Sequence, residues 1–115
     1  MSQEIYLIDE ENELKSKLID IFKKEKEYKF KKAKEAEIES VLKNIPALII
    51  INEDGIKEDI IELCNKIRKN EDNSITPIIV ISSVKEKEHR IQVLKACVEH
   101  YIKAPIDEQY LYYTV

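Results

Sequence analysis

At 115 residues, with 43% hydrophobic and 37% charged, the chain has room for one domain built on one hydrophobic core. A single glycine and three prolines exclude a loop-rich or disordered scaffold and call for regular elements joined by short connections. A net charge of −4 makes nucleic acid no default partner, no signal-peptide pattern opens the chain, and no apolar run approaches the roughly 20 residues of a membrane span.

The first apolar run, Ile5-Tyr6-Leu7-Ile8, is apolar at consecutive positions and predicts a central parallel strand buried on both faces. Asp9-Glu10-Glu11-Asn12 interrupts it, and Asn12 is placed to cap a helix marked by Leu14, Leu18, Ile21 and Phe22. From Tyr28 to Lys32 aromatic residues alternate with lysine, as in an edge strand. The surrounding lysine-rich run, Lys23 to Lys34, is read as a solvated face and a guarded edge rather than a nucleic-acid or membrane patch. Ile38, Val41, Leu42 and Ile45 mark a second helix that must stop before Pro46.

Ala47-Leu48-Ile49-Ile50-Ile51 is the most hydrophobic strand, and it ends at the turn Asn52-Glu53-Asp54-Gly55. Ile60, Leu63, Cys64 and Ile67 give a third helix, and a polar loop runs from Asn70 to Thr76. Pro77-Ile78-Ile79-Val80-Ile81 is a fourth strand closed by Ser82-Ser83. Ile91, Leu94 and Val98 outline a fourth helix, and Tyr101-Ile102 sits in a short fifth strand ended by Pro105. Residues 107–115 begin a last helix that the chain leaves unfinished.

The order βαβαβαβαβα implies an α/β fold: a doubly wound, five-stranded parallel sheet of flavodoxin-like order 2-1-3-4-5, with right-handed crossovers. Cys64 and Cys97 have no CxxC spacing and fall on apolar helix faces, as expected of buried, reduced thiols in a cytoplasmic protein. His89 and His100 are too isolated to mark a metal site.

In doubly wound sheets function gathers outside the carboxyl ends of the strands. There the sequence places Asp9 and Glu10 after the first strand, Asn52 after the third and Ser82 after the fourth, and the first and third strands are predicted neighbours. Adjacent carboxylates at such a place suit a hard divalent cation such as Mg²⁺. They equally suit the start of a helix, where acidic groups favour the dipole. Spacing leaves both readings open.

Over its whole length the chain resembles the receiver domain of two-component response regulators. The resemblance is carried by Ile5-Tyr6-Leu7-Ile8-Asp9-Glu10, Pro46 to Asn52, Pro77 to Ser83, and Tyr101-Ile102-Lys103-Ala104-Pro105, four motifs in the family's order. It implies a CheY-like fold, a phosphoacceptor position at Asn52, switch positions at Ser82 and Tyr101, and an interaction face formed by the fourth helix, fifth strand and fifth helix.

Two departures qualify it. Asn52 stands where the family has its nucleophilic aspartate, and an amide oxygen without full negative charge cannot form an acyl phosphate. Ala104 stands where the family has its lysine. Lys103 does not replace that lysine, because the Tyr101-to-Pro105 spacing is the family's own and a neighbouring strand residue points to the opposite face. An aspartate without its lysine crowds negative charge, and a lysine without its aspartate is an unpaired cation, so the pair is lost as a unit. Asp9 and Glu10 remain able to bind a cation, though with one carboxylate fewer. Ser82 and Tyr101 either keep a switching role or simply pack. Glu53 and Asp54 are poor substitute acceptors, since Asp54 lies two residues past the strand end and has no partner lysine.

The resulting expectation is a pseudo-receiver: a phosphorylation-independent, non-enzymatic regulatory domain of a two-component-type signalling protein. It needs no cofactor and acts through protein partners, a homodimer among them. The contact face would include Tyr101 and the tail tyrosines Tyr110, Tyr112 and Tyr113, which suit an interface because they bury area at low entropic cost. The same tyrosines could instead cover the domain's own core. The unfinished last helix leads us to expect an N-terminal fragment with an output domain beyond residue 115, such as a cyclic-dinucleotide enzyme or a DNA-binding domain. The alternatives are a weakly active receiver and a flavodoxin-like small-molecule binder. The second is disfavoured because Asp9-Glu10-Glu11 would repel a flavin phosphate.

Overall fold

The computed structural model describes residues 4–9, 29–84, 86–96 and 98–103. Glu10, the predicted Asn12 cap and first helix, Cys97, Ala104, Pro105 and the tail tyrosines lie outside the described residues.

Five strands form one sheet: β1 (Glu4–Ile8), β2 (Lys29–Ala33), β3 (Leu48–Asn52), β4 (Ile78–Ser82) and β5 (His100–Lys103). All are parallel, in the order β2-β1-β3-β4-β5. The predicted fold class and strand order are therefore those observed. Helices span Ile38–Lys43, Ile60–Lys69 and Lys87–Lys95. None of the described helices is long and apolar enough to cross a membrane.

Continuous apolar runs produce the central strands because both of their faces are buried. On one face Tyr6, Ile8, Ile49, Ile51, Ile78 and Val80 pack with Ile38, Val41, Leu42, Ile60, Leu63, Cys64, Ile67 and Val93 of the helices. On the other, Ile5, Leu7, Leu48, Ile50, Ile79, Ile81 and Ile102 form a second cluster joined by Phe30. β2 is the edge strand, with Lys29 and Lys31 exposed and Ala33 buried, so its lysines discourage pairing with another chain.

The Ile60–Lys69 helix begins where Asp59 accepts hydrogen bonds from Ile61 N (2.8 Å) and Glu62 N (3.3 Å), a side-chain N-cap. It ends in Lys66, Arg68 and Lys69, which favour the negative end of the helix dipole. The Lys87–Lys95 helix departs from its predicted face. Val93 is the residue turned into the core, Ile91 and Leu94 are 38% and 39% exposed, and Val98 is buried beyond the helix end. Helical spacing from 91 to 98 was misleading because the helix stops at Ala96, whose N–H bonds to Val93 O, and the chain turns toward β5.

The polar segment 70–76 is more structured than its composition implies. Asn73 is fully buried, donating to Leu42 O (2.9 Å) and Asn70 Oδ1 (3.0 Å) while accepting from Thr76 Oγ1 (3.0 Å). Arg68 reaches across it to Asn73 O (3.1 Å), Thr76 O (2.6 Å) and Glu99 Oε1 (3.3 Å). Glu99 in turn accepts the first N–H of β4, from Ile78, at 2.5 Å. Removing Glu99 would take the side-chain acceptor from that N–H and one of several partners from the Arg68 guanidinium, which costs about 1–3 kcal/mol. Glu99→Ala is expected to lower the urea midpoint by a corresponding amount without changing the m-value, whereas an unchanged midpoint would show that the clamp contributes nothing.

Candidate functional site

The parallel order brings the ends of β1, β3, β4 and β5 to one edge of the sheet, and polar side chains collect there. Asp9 follows β1 directly and is fully buried, with its backbone N–H bonded to Ala33 O at 3.1 Å. Its carboxylate meets the last residue of β3: Asn52 Nδ2 donates to Asp9 Oδ2 at 3.0 Å. The register that pairs Ile8 with Ile51 places the two residues side by side.

Glu53–Gly55 forms a 3-10 turn after β3. A Cβ on Gly55 would lie 1.9 Å from Asp9 Oδ1 and 3.2 Å from Asn52 Nδ2, so the only glycine in the chain is required by close approach to a carboxylate. Asp9 thus has one oxygen held by an amide and the other pressed against backbone.

The two carboxylates of this turn reach the remaining strand ends. Asp54 accepts from Ser83 Oγ (2.9 Å) and Ser83 N (3.1 Å) just past β4. Glu53 Oε2 lies 2.5 Å from His89 Nε2 on the Lys87–Lys95 helix, and Glu53 Oε1 accepts from the Tyr101 hydroxyl of β5 at 3.4 Å. The His89 and Tyr101 rings meet edge to face, 6.4 Å between centroids. Ser82 is fully buried, and its Oγ accepts from Val84 N at 3.1 Å. Burial pushes the Tyr101 phenol above its ordinary value of 10.0; a hydrogen bond with Ser82 opposes the shift and the Glu53 carboxylate adds to it.

Asp9, Asn52, Ser82 and Tyr101, singled out from sequence, are therefore brought to one edge. Glu10 and Ala104 lie outside the described residues. Sequence reasoning did not find the roles of Glu53, Asp54, Ser83 and His89. Spacing marks His89 only as too isolated for a metal site; in the fold its ring lies against Glu53 of the turn after β3. Its partner is 36 residues away, so no local spacing could have revealed the contact.

A hard cation on Asp9 would need further oxygen ligands, because such ions take six or more. Among the described residues there is no group of three or more acidic, histidine or cysteine side chains suited to a metal. Asn52 also presents its donor, not its acceptor, to Asp9. A cation between them would require this amide to turn over, so the described residues fit a cation poorly.

The all-parallel strand order, with its helices, defines a flavodoxin-like α/β domain. No protein-family model matches the chain, and no curated protein matches its sequence. Solved structures do. The signal receiver domain of a two-component histidine kinase from Clostridium thermocellum matches with a TM-score of 0.84 at 24% identity, over 99% of this chain and 94% of that one. A two-component response regulator from Clostridium difficile gives 0.79 at 25% identity, over 97% and 91%. The Mn²⁺-bound form of response regulator Rcp1 gives 0.76 at 15% identity, over 96% and 87%. Within the flavodoxin-like class, the chain has the CheY-like fold of response-regulator receiver domains.

Gly55→Ala forces a methyl into Asp9 and is expected to destabilise the domain by about 1–3 kcal/mol, read as a lower urea midpoint, with displaced Asn52 side-chain amide resonances. Alkaline stability follows from Cys64 and Tyr101. Burial raises the Cys64 thiol from 9.0 to about 12, and Tyr101 is also raised, so the folded state keeps protons that the unfolded chain releases. Their contribution is complete below about pH 9 and is lost as pH rises toward 12. In a Cys97→Ser background, Cys64 should resist alkylation below that range, and the urea midpoint should fall steadily above it.

Proposed function

We propose that this chain is a phosphorylation-independent receiver-like regulatory domain of a two-component-type signalling protein. It acts through protein contacts and catalyses no reaction itself. The observation that carries this reading is the Asn52 side chain, which ends β3 as a neutral amide donating to buried Asp9. Phosphoryl transfer to a receiver needs an anionic oxygen at that point to attack phosphorus, and an amide has none. At the same edge Asn52 turns its Nδ2 donor toward Asp9, which weakens the case for a cation. The Rcp1 neighbour binds Mn²⁺; here any Mg²⁺ held by Asp9 and Glu10 would be weak.

The face that meets partners would be formed by the Lys87–Lys95 helix, β5 and the tail. Support comes from Ile91 and Leu94, apolar side chains turned outward on an otherwise charged helix, with Tyr101 on β5 close to that helix's His89. A second copy is one partner this face would accept. Its output, joined beyond residue 115 or separate, would be reached through the same contacts. The setting would be cytoplasmic, where buried Cys64 stays a thiol.

Incubation with acetyl phosphate, or with beryllofluoride, in the presence of Mg²⁺ tests the reading. The expected outcome is no mass adduct and no saturable NMR shift. Asn52→Asp alone should remain slow, and Asn52→Asp with Ala104→Lys should gain reactivity. Stoichiometric modification of the wild-type chain, or normal phosphorylation of Asn52→Asp alone, would overturn the account.

A further inference from the structure

Among the described residues, the turn after β3 reaches the end of β4, the Lys87–Lys95 helix and β5 through the side chains of two adjacent residues. Asp9 holds the base of the turn through Asn52 and leaves room only for Gly55. From that fixed base Asp54 projects to the end of β4, taking both the hydroxyl and the N–H of Ser83. Glu53 projects to the Lys87–Lys95 helix and to β5, taking His89 with one oxygen and the Tyr101 hydroxyl with the other.

We infer that Glu53 and Asp54 form an internal clasp, two carboxylates of the chain itself that hold the start of the Lys87–Lys95 helix, the Ser82–Val84 segment and Tyr101 in one arrangement without any bound anion. This rests on the phosphorylation-independent reading and extends it. Where that reading removes the chemistry that would switch the edge, the clasp supplies acceptor oxygens for the hydrogen-bonding groups of Ser83, His89 and Tyr101.

Burial ranks the two arms. The Glu53 and His89 side chains are 14% and 24% exposed, so their contact is shielded from solvent and salt. Asp54 and Ser83 are exposed, so that arm is weaker and more easily screened. The Glu53 arm also matters more for the outer surface. His89 stands in the first turn of the helix that carries Ile91 and Leu94 on its outer side, so fixing His89 fixes where that apolar pair is presented.

The test is native-state amide hydrogen exchange on the ¹⁵N-labelled chain and on its Glu53→Ala/Asp54→Ala variant. Amides of the Lys87–Lys95 helix are expected to exchange about tenfold faster or more in the variant, while those of Leu63 to Ile67 keep their rates. If the double variant does not fold, Glu53→Gln takes its place. It keeps the size and one acceptor, and it should move the His89 ring nitrogen shifts and speed exchange in the same helix by a smaller factor. Unchanged exchange in that helix, in whichever variant is folded, overturns the clasp and leaves the phosphorylation-independent reading standing. A saturable beryllofluoride response of the wild-type chain overturns that reading, and with it the clasp as a substitute for a bound anion.

Discussion

A fully buried carboxylate is costly unless hydrogen-bonded, and here Asp9 is answered by the Asn52 amide at 3.0 Å. Much of the edge follows from that pair. It joins the ends of β1 and β3, and it sets the position of the turn at Glu53–Gly55. It leaves no space for a side chain at Gly55, and so fixes where Glu53 and Asp54 can reach. An aspartate at 52 would set two carboxylates against each other and would call for a cation between them; an amide removes that need.

The carboxylates at this edge accept hydrogen bonds from internal donors. Asp9 faces an amide, Asp54 a serine hydroxyl and a backbone N–H, and Glu53 a histidine and a phenol. No buried side-chain nitrogen or oxygen among the described residues lacks a hydrogen-bond partner. At the opposite end of the strands, Arg68, Asn73, Thr76 and Glu99 do the same for the loop that leads into β4. The apolar sheet is closed at both ends by polar groups that bond to one another.

The fold was legible from periodicity. Runs of apolar residues at consecutive positions gave β1, β3 and β4, and helical spacing gave the Ile60–Lys69 helix, because a strand buried on both faces and an amphipathic helix leave different local patterns. The Lys87–Lys95 helix was harder. Its charged composition and short length let Ile91 and Leu94 stand outside while Val93 alone turns inward, and no 3.6-residue rule distinguishes those choices without the neighbouring sheet.

At the site, the sequence by itself determined residue chemistry: an amide in place of a nucleophilic carboxylate at 52, an acid at 9, and a hydroxyl and a phenol at 82 and 101. Those facts bear on phosphoryl transfer regardless of packing, because they concern which atoms carry charge. Tertiary structure decided partnership. That Asn52 donates to Asp9, that the sole glycine lies against a carboxylate, and that Glu53 meets His89 and Tyr101 all depend on bringing together residues 36 to 48 positions apart. The parallel register of the sheet and the packing of the Lys87–Lys95 helix do that together, since hydrogen bonds act over about 3 Å and a local pattern carries no record of what lies across the fold.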